Sequence, residues 1–418
     1  MGDDLITSFE NAKKNILNSV KPLGSEFIPI TAAYNRVLYE DIVSEVMVPP
    51  ADDSARDGYA IIAADTRGAT KSNPTRLEVV GEIRAGESAV DKKVTPGTAI
   101  RIMTGAPIPQ NTNSVVQFED TDEKNGHVDI FVEVKPGQNY RRAGETIRKG
   151  DTVLLRGKRL NSADIGILAS LNYSLVKVYK QPVVAIISTG DELADLGADI
   201  KSGHIRNANA YTIYTEVKKC NAIPEYMGIA KDTLTDVKKI FLKALKANVV
   251  ISTGGVSKGR YDFVKDIYAA LGIKIQFEKV NIRPGKPFTF GKKGDKLFFG
   301  LPGNTVPTLT SFIQFVRPAL LSLMGAKQLE KPVVNATLEE DISNNSDSVN
   351  LVRGYFTIKN NEFYVTSTGG QKPSMLRSMS SANCLIIVPG EIVKLRAGEK
   401  VPIQLIDHEE ILGAFKTF

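Results

Sequence analysis

The sequence predicts a multidomain α/β plus β chain: a parallel-sheet α/β domain, a β-rich domain inserted before it and a small β-barrel after it. Three observations carry this. The 418 residues are too many for one hydrophobic core and imply roughly two to four domains. Residues 178–325 alternate all-apolar runs with amphipathic stretches, the pattern of βαβ units. The stretches 51–150 and 330–418 instead carry short alternating strands punctuated by Gly and Pro.

In chain order, Ile6, Phe9, Ala12, Ile16 and Val20 recur at helical spacing, and Pro22 ends that helix. A helical or turn segment follows from Ile28 to Asp41, broken at Val48-Pro49-Pro50. The β-rich stretch holds Leu77–Val80, Val115–Phe118 and Val128–Val132, and a helix from Arg159 to Leu171 leads out of it. Val183–Ile187 is continuously apolar, as a strand buried on both faces would be. A helix over Ala210–Cys220, a strand near Glu225–Met227, a helix over Leu234–Lys246 and the strand Val249–Ile251 follow. The next helix spans Tyr261–Leu271 and stops at Gly272. Residues 297–301 form a strand, and Val306–Met324 a long helix with Pro318 inside it. Val333–Ala336, Gly354–Ile358 and Cys384–Val388 are strands of the last β unit.

Composition narrows the chemistry. Two cysteines and three histidines, all far apart in sequence, give neither a zinc site nor a disulfide framework, so any metal sits mainly on oxygen ligands, which favours magnesium. The net charge of +6 is mild and suits an anionic ligand, but no Lys/Arg block has the aromatic interleaving of a nucleic-acid platform. No apolar segment is long enough for a bilayer, and the acidic Met1–Thr7 differs from a basic secretory leader. The expectation is a cytoplasmic protein with no membrane and no nucleic-acid partner.

Ligands of an open parallel sheet bind beyond the carboxyl ends of its strands. Two strands end there in the same words, "AIISTGDEL" (185–193) and "VVISTGGVS" (249–257). Small residues and hydroxyls at Ser188, Thr189, Gly190, Ser252, Gly254, Gly255 and Ser257 read as an oxyanion or phosphate cradle, or as ordinary left-handed turns from strand to helix. No Gly-Lys-Ser/Thr ending makes either a Walker loop. Asp262 opens the following helix and can complement its dipole, or hold magnesium beside an anion with Glu192 as its partner. "EKVNIRPGKPFTFG" (278–291) sets Lys279, Arg283 and Lys286 around a Pro-Gly turn, and "GLPGN" (300–304) is a fourth such turn with Pro302, Gly303 and Asn304. "DDSARDGYA" (52–60) and "RIMTGAPIP" (101–109) read on their own as exposed loops.

Taken together, "SARDGYA", "RIMTGAPIP", "GETIRKGD", "ISTGDEL", "IRNANAY", "STGGVSKGRYD", "RPGKPFTFG" and "LPGN" with "FVRPAL" resemble the molybdopterin molybdenumtransferase family, that is MoeA and the E domain of gephyrin. Eight motifs in order are far more specific than any one of them. The resemblance implies an elongated four-part subunit that forms a homodimer: residues 1–45 and 141–177 in a linker domain, 46–140 inserted, 178–328 a molybdopterin-binding α/β domain and 329–418 a β-barrel. It implies that adenylylated molybdopterin and molybdate, or tungstate, give molybdenum cofactor and AMP with Mg2+. A molybdopterin adenylyltransferase and recipient molybdoenzymes are the implied protein partners.

Carried over by position, Asp262, Glu192, Asp191 and Asp232 would organise magnesium and the cleaved phosphate. Ser257, Arg283 and Lys286 would hold molybdate or the nearby phosphate, with Lys279 beside them. Asp57 and Thr104 would complete the cleft from the second subunit. The family's usual Met before the "DGYA" Asp is Arg56 here, and its usual Pro and Ser after "LPGN" are replaced by Thr305 and Pro307. The lost serine hydroxyl removes one oxyanion contact, and tungstate preference or altered activity would be its signature. Two other readings share these motifs: a non-catalytic molybdopterin-binding scaffold, and a nucleotide pyrophosphatase of the competence-damage type. The acids Asp57, Glu192 and Asp262 argue against the first, and the inserted β region against the second.

Overall fold

Local propensity and burial together explain the architecture of the computed structural model, which describes residues 6–200, 202–254 and 263–406. Residues from both sides of the inserted region build one small core. The strand Ser25–Pro29 pairs antiparallel with Leu175–Tyr179, and Leu38, Leu154, Leu160, Leu168, Val176 and Val178 pack beneath them. The helix there runs Ser162–Ser170, later than expected, because Asn161 and Asp164 form a reciprocal capping box that fixes its start.

The inserted stretch forms one six-stranded sheet that carries an apolar cluster on each face. Its order runs from Ser114–Gln117 at one edge to Thr121–Lys124 at the other. Gly58 of the "DGYA" motif has a packing reason: a Cβ there would lie 1.9 Å from the Val116 carbonyl oxygen on the neighbouring strand.

In the α/β unit we number β1 (Ile6–Thr7), α1 (Phe9–Asn18), β2 (Val183–Thr189), α2 (Ala208–Lys219), β3 (Ile223–Ala230), α3 (Leu234–Ala244), β4 (Val249–Thr253), α4 (Phe263–Ala270), β5 (Lys274–Val280), β6 (Pro287–Lys293), β7 (Lys296–Leu301), α5 (Thr305–Ser311) and α6 (Arg317–Leu323). The sheet order is β1-β5-β6-β7-β4-β2-β3. β7, β4, β2 and β3 are mutually parallel, and the apolar runs of the first three are buried on both faces, while β3 is the half-buried edge strand. The sheet is mixed rather than wholly parallel. β6 runs antiparallel to β5 and β7 because only 281–286 and Gly294-Asp295 join them, too few residues for a crossover. Pro318 is accommodated by a π-helical segment, Phe312–Val316, between α5 and α6.

The last unit closes into a five-stranded barrel. Val349–Lys359 pairs with both Glu362–Ser367 and Cys384–Val388, and Val333–Leu338 and Lys400–Leu405 complete the ring. Phe356, Val365, Cys384, Ile386 and Ile403 fill it. It is tied to the α/β unit by main-chain pairing of Ile282-Arg283 with Val349-Asn350. No described helix is long and apolar enough to cross a membrane.

Candidate active site

The parallel register brings three turns to one place. Ser188 is level with Thr253, and Thr253 with Leu301, so β2, β4 and β7 end side by side. Gly254 donates its N–H to the Leu301 carbonyl at 3.2 Å, and a Cβ on Gly303 would lie 3.8 Å from Gly254 Cα. At Gly254 (φ +85°) a Cβ would sit 2.6 Å from the Thr189 carbonyl oxygen, so the turn needs glycine for both its backbone and its packing. Asn209, at the start of α2, donates to the Gly303 carbonyl at 2.7 Å and ties the "LPGN" turn to the same platform.

Three of the four Ser-Thr hydroxyls are spent on holding these turns. Ser188, Thr189, Ser252 and Thr253 are all buried. Thr253 Oγ1 donates to Ser188 Oγ at 3.3 Å and Thr189 Oγ1 to the Thr253 carbonyl at 3.4 Å, while the buried Ser252 Oγ has no hydrogen-bond partner among the described residues. These turns therefore present to a ligand their backbone and the side chains of the loop residues just beyond them.

The loops leaving β2 and β3 are acidic. Asp191 and Asp232 face each other: the Asp232 N–H donates to Asp191 Oδ1 at 3.1 Å, and the Asp191 N–H to Asp232 Oδ2 at 3.4 Å. The Glu192 carboxylate folds back over Gly190, where a Cβ would come within 2.5 Å of Oε2. Burial, with repulsion from Asp191 and Glu192, pushes the Asp232 carboxyl above its ordinary 3.8. Two exposed carboxylates, Asp191 and Glu192, beside the half-buried Asp232 present hard oxygen ligands of the kind a divalent cation takes. Among the described residues no group of three or more His, Cys, Asp or Glu side chains is arranged to hold a metal alone.

On the β5–β6 connection, beside the turn that follows β7, the charge reverses. Arg283 and Lys286 flank Pro284-Gly285 and line a cleft of about 520 Å³ shared with the barrel. Pro302, Asn304 and Pro307 form its floor. Asn304 is the N-cap of α5, yet its side chain makes no capping bond. Pro307 brings no hydroxyl, and neighbouring Thr308 offers none, because its Oγ1 donates to the Pro302 and Asn304 carbonyls at 2.5 and 2.8 Å. Lys279 lies in β5, paired with Ile6 and Pro287, and is not among the residues lining this cleft.

The barrel wall adds a residue the sequence reading missed. Arg353 lines the cleft although it is 1 % exposed. Its guanidinium donates only to neutral acceptors, Ser378 Oγ at 2.9 Å and the Gly370 and Lys372 carbonyls at 3.0 and 3.4 Å. Among the described residues no carboxylate pairs with it, and burial lowers its pKa. A buried cation without a counter-ion is costly, and an anion in the cleft would supply one. "Val352-Arg353-Gly354" carries no turn signal; only the pairing of the barrel with residues 282–283 brings it here.

Asp57 and Thr104 meet in the inserted sheet. Asp57 Oδ1 accepts from the Thr104 N–H at 2.7 Å and its hydroxyl at 2.8 Å, which holds the carboxyl below its ordinary value. Both are exposed, and among the described residues neither is hydrogen-bonded to the α/β unit. Gly255, Ser257 and Asp262 lie outside the described residues. The structure thus brings together Asp191, Glu192 and Asp232 on one side, and Arg283, Lys286, Pro302 and Asn304 on the other.

Comparison with known proteins agrees along the chain. Residues 7–172 match the MoeA N-terminal region (domain I and II), 185–322 a probable molybdopterin binding domain and 335–406 the MoeA C-terminal region (domain IV). The molybdopterin molybdenumtransferase of Haemophilus influenzae is 35% identical over 406 residues, 96% of this chain and 99% of that protein. The Staphylococcus aureus enzyme of the same name is 34% identical over 401 residues, 96% of each chain. Among solved structures, the molybdopterin biosynthesis MoeA protein of Pyrococcus horikoshii superposes with a TM-score of 0.82 at 30% identity, covering 96% of this chain and all of that one. The chain belongs to the molybdopterin molybdenumtransferase family.

Proposed function

We propose that this enzyme acts in molybdenum cofactor biosynthesis, inserting molybdate (or tungstate) into adenylylated molybdopterin with magnesium-dependent hydrolysis and release of AMP. The observation that carries the proposal is the split platform at the strand ends: carboxylates beyond β2 and β3, cations on the β5–β6 connection beside the turn that follows β7. A phosphoanhydride and an oxyanion need both, one half to hold a cation on the scissile phosphate and the other to hold the anions.

In this reading Glu192 and Asp191 hold Mg2+ with Asp262, and Asp232 orients Asp191 through their paired N–H contacts. Bound there, magnesium would neutralise charge on the phosphate as water cleaves it. The backbone of Gly190, Gly254 and Gly255, with Ser257, cradles the pterin phosphate. Arg283, Lys286 and Arg353 hold the oxyanion, with Pro302, Gly303 and Asn304 closing beneath it and Lys279 contributing charge from β5. Ser188 and Thr189 act by fixing the turns. Asp57 and Thr104 belong to the cleft of a homodimer, supplied by the second subunit. The units 1–45 with 141–177, 46–140, 178–328 and 329–418 are the proposed domains. The setting is cytoplasmic, between a molybdopterin adenylyltransferase and recipient molybdoenzymes.

The test is AMP release from adenylylated molybdopterin, with magnesium and either molybdate or tungstate, for the wild type and Asp262→Asn. Metal-dependent release that the variant loses supports the reading, and the better oxyanion names the metal. Tight substrate binding without release in both proteins would mean a scaffold.

A further inference from the structure

Behind the carboxylate half lies a hydrogen-bonded chain that none of the site roles above uses. Asp195 accepts from two tyrosines, Tyr211 at 2.6 Å on Oδ1 and Tyr226 at 3.0 Å on Oδ2. The Tyr226 oxygen accepts from Asn207 Nδ2 at 2.8 Å. Asn207 Oδ1 in turn accepts from Ser188 Oγ at 3.1 Å, and Ser188 Oγ from Thr253 Oγ1 at 3.3 Å. Asn207, Ser188 and Thr253 are each at most 2 % exposed.

Every donor in this chain points toward Asp195, and the direction is forced. An ionised carboxylate only accepts, so Tyr226 must donate to it. The tyrosine oxygen then needs a donor, which turns the Asn207 amide nitrogen to it and its carbonyl to Ser188. Ser188 must donate there and is left to accept from Thr253. The Asp195 charge and the N-cap bond, in which Asn207 Oδ1 accepts the Ala210 N–H at 3.4 Å, thus favour the same hydroxyl orientations at the ends of β2 and β4, and such chains strengthen cooperatively.

Asp195 also anchors the backbone that carries Glu192. Leu193-Ala194 pairs with Ile205-Arg206, with Ile205 N–H donating to the Glu192 carbonyl at 2.8 Å and Asn207 N–H to the Ala194 carbonyl at 3.0 Å. Arg206 Nη1 donates to the Asp195 and Ala198 carbonyls at 2.7 and 2.6 Å. Asn207 is therefore held at once by this strap, by α2, whose N-cap it is, and by Ser188.

We propose that Asp195, through Tyr211, Tyr226 and Asn207, is a positioning residue: it holds the Gly190–Glu192 turn in register with the β4 turn, and so sets magnesium affinity. This rests on the functional reading above. The variant is Asp195→Asn, which keeps the shape but needs a donor reversed; Tyr226→Phe is the second, in case the first does not fold. Magnesium titration followed by calorimetry, and amide hydrogen exchange at Gly190–Leu193, are read beside AMP release and thermal melting. The expected result is magnesium affinity about 10–100-fold weaker and faster exchange at that turn in both variants, as when outer-shell partners of a metal are lost. Asp195→Glu, which restores the charge, should recover part of the affinity. Unchanged affinity and exchange, whether or not the melting temperature falls, would overturn the proposal. A wild type that binds magnesium but releases no AMP would sink the functional reading and leave the positioning result standing.

Discussion

The two halves of the strand-end platform are made differently. The carboxylate half is local: Asp191, Glu192 and Asp232 each lie within a few residues of a buried parallel strand. The cationic half is assembled from two folding units, with Arg283 and Lys286 on a β5–β6 turn and Arg353 on a barrel strand. The first half is exposed and repels itself; the second contains a buried guanidinium bonded only to neutral groups. The cleft also carries Glu340 and Asp341, but these bond to Thr366 and Ser367 and to Lys394 rather than to Arg353, so the guanidinium is left for a ligand to neutralise.

The comparison breaks most sharply if the halves are removed one at a time. Arg283→Ala or Lys286→Ala should lower kcat/KM for oxyanion insertion by about 10²–10³-fold, the usual cost of losing a charged group at the reacting centre, and leave the magnesium requirement as it was. Steady-state rates at varied molybdate check this. Glu192→Gln should do the converse, weakening magnesium dependence by about 10–100-fold with molybdate KM unchanged. Arg353→Met separates function from folding. Activity should fall while thermal unfolding shows a neutral or stabilising change, on the order of 1–4 kcal/mol at most, because a buried unpaired charge is exchanged for apolar packing.

pH should act on two acids with opposite sign. The folded Asp232 carboxyl titrates above its ordinary 3.8, so its contribution to stability is present below the unfolded value and lost as pH rises through the folded one. Magnesium favours the ionised form, so its stabilising effect should be larger at neutral pH than near pH 4, and Asp232→Asn should flatten that difference. Asp57 titrates below 3.8, so its contribution is present above the unfolded value and lost as pH falls through the folded one. Melting curves with and without magnesium across this range distinguish the two. The smallest effect is expected from Pro307→Ser, which restores one hydroxyl on the cleft floor: a severalfold change in molybdate KM relative to tungstate.

The local half was legible in the sequence for a physical reason. An apolar run ending in Ser-Thr-Gly followed by acids states both the strand and the charge at its end. The βαβ alternation and the closing barrel were legible in the same way, because their hydrophobic periods differ. What was hidden depended on pairing between distant segments. Nothing in 278–291 says that Lys279 pairs within the α/β sheet while Arg283 pairs with the barrel, because two separate registers decide it. Arg353 enters the cleft only through main-chain pairing between the α/β unit and the barrel. The Ser-Thr hydroxyls looked like ligand donors, and only the register of β2 against β4 shows that Ser188, Thr189 and Thr253 use theirs within the two turns.

The most direct measurement is a magnesium titration of AMP release from adenylylated molybdopterin in the wild type, Glu192→Gln and Arg283→Ala, each repeated at low and saturating molybdate. The expected result is a split: Glu192→Gln moves only the magnesium curve and Arg283→Ala only the molybdate dependence. Release that ignores magnesium in the wild type, or variants that shift the same curve, would contradict a platform divided between a cation half and an anion half.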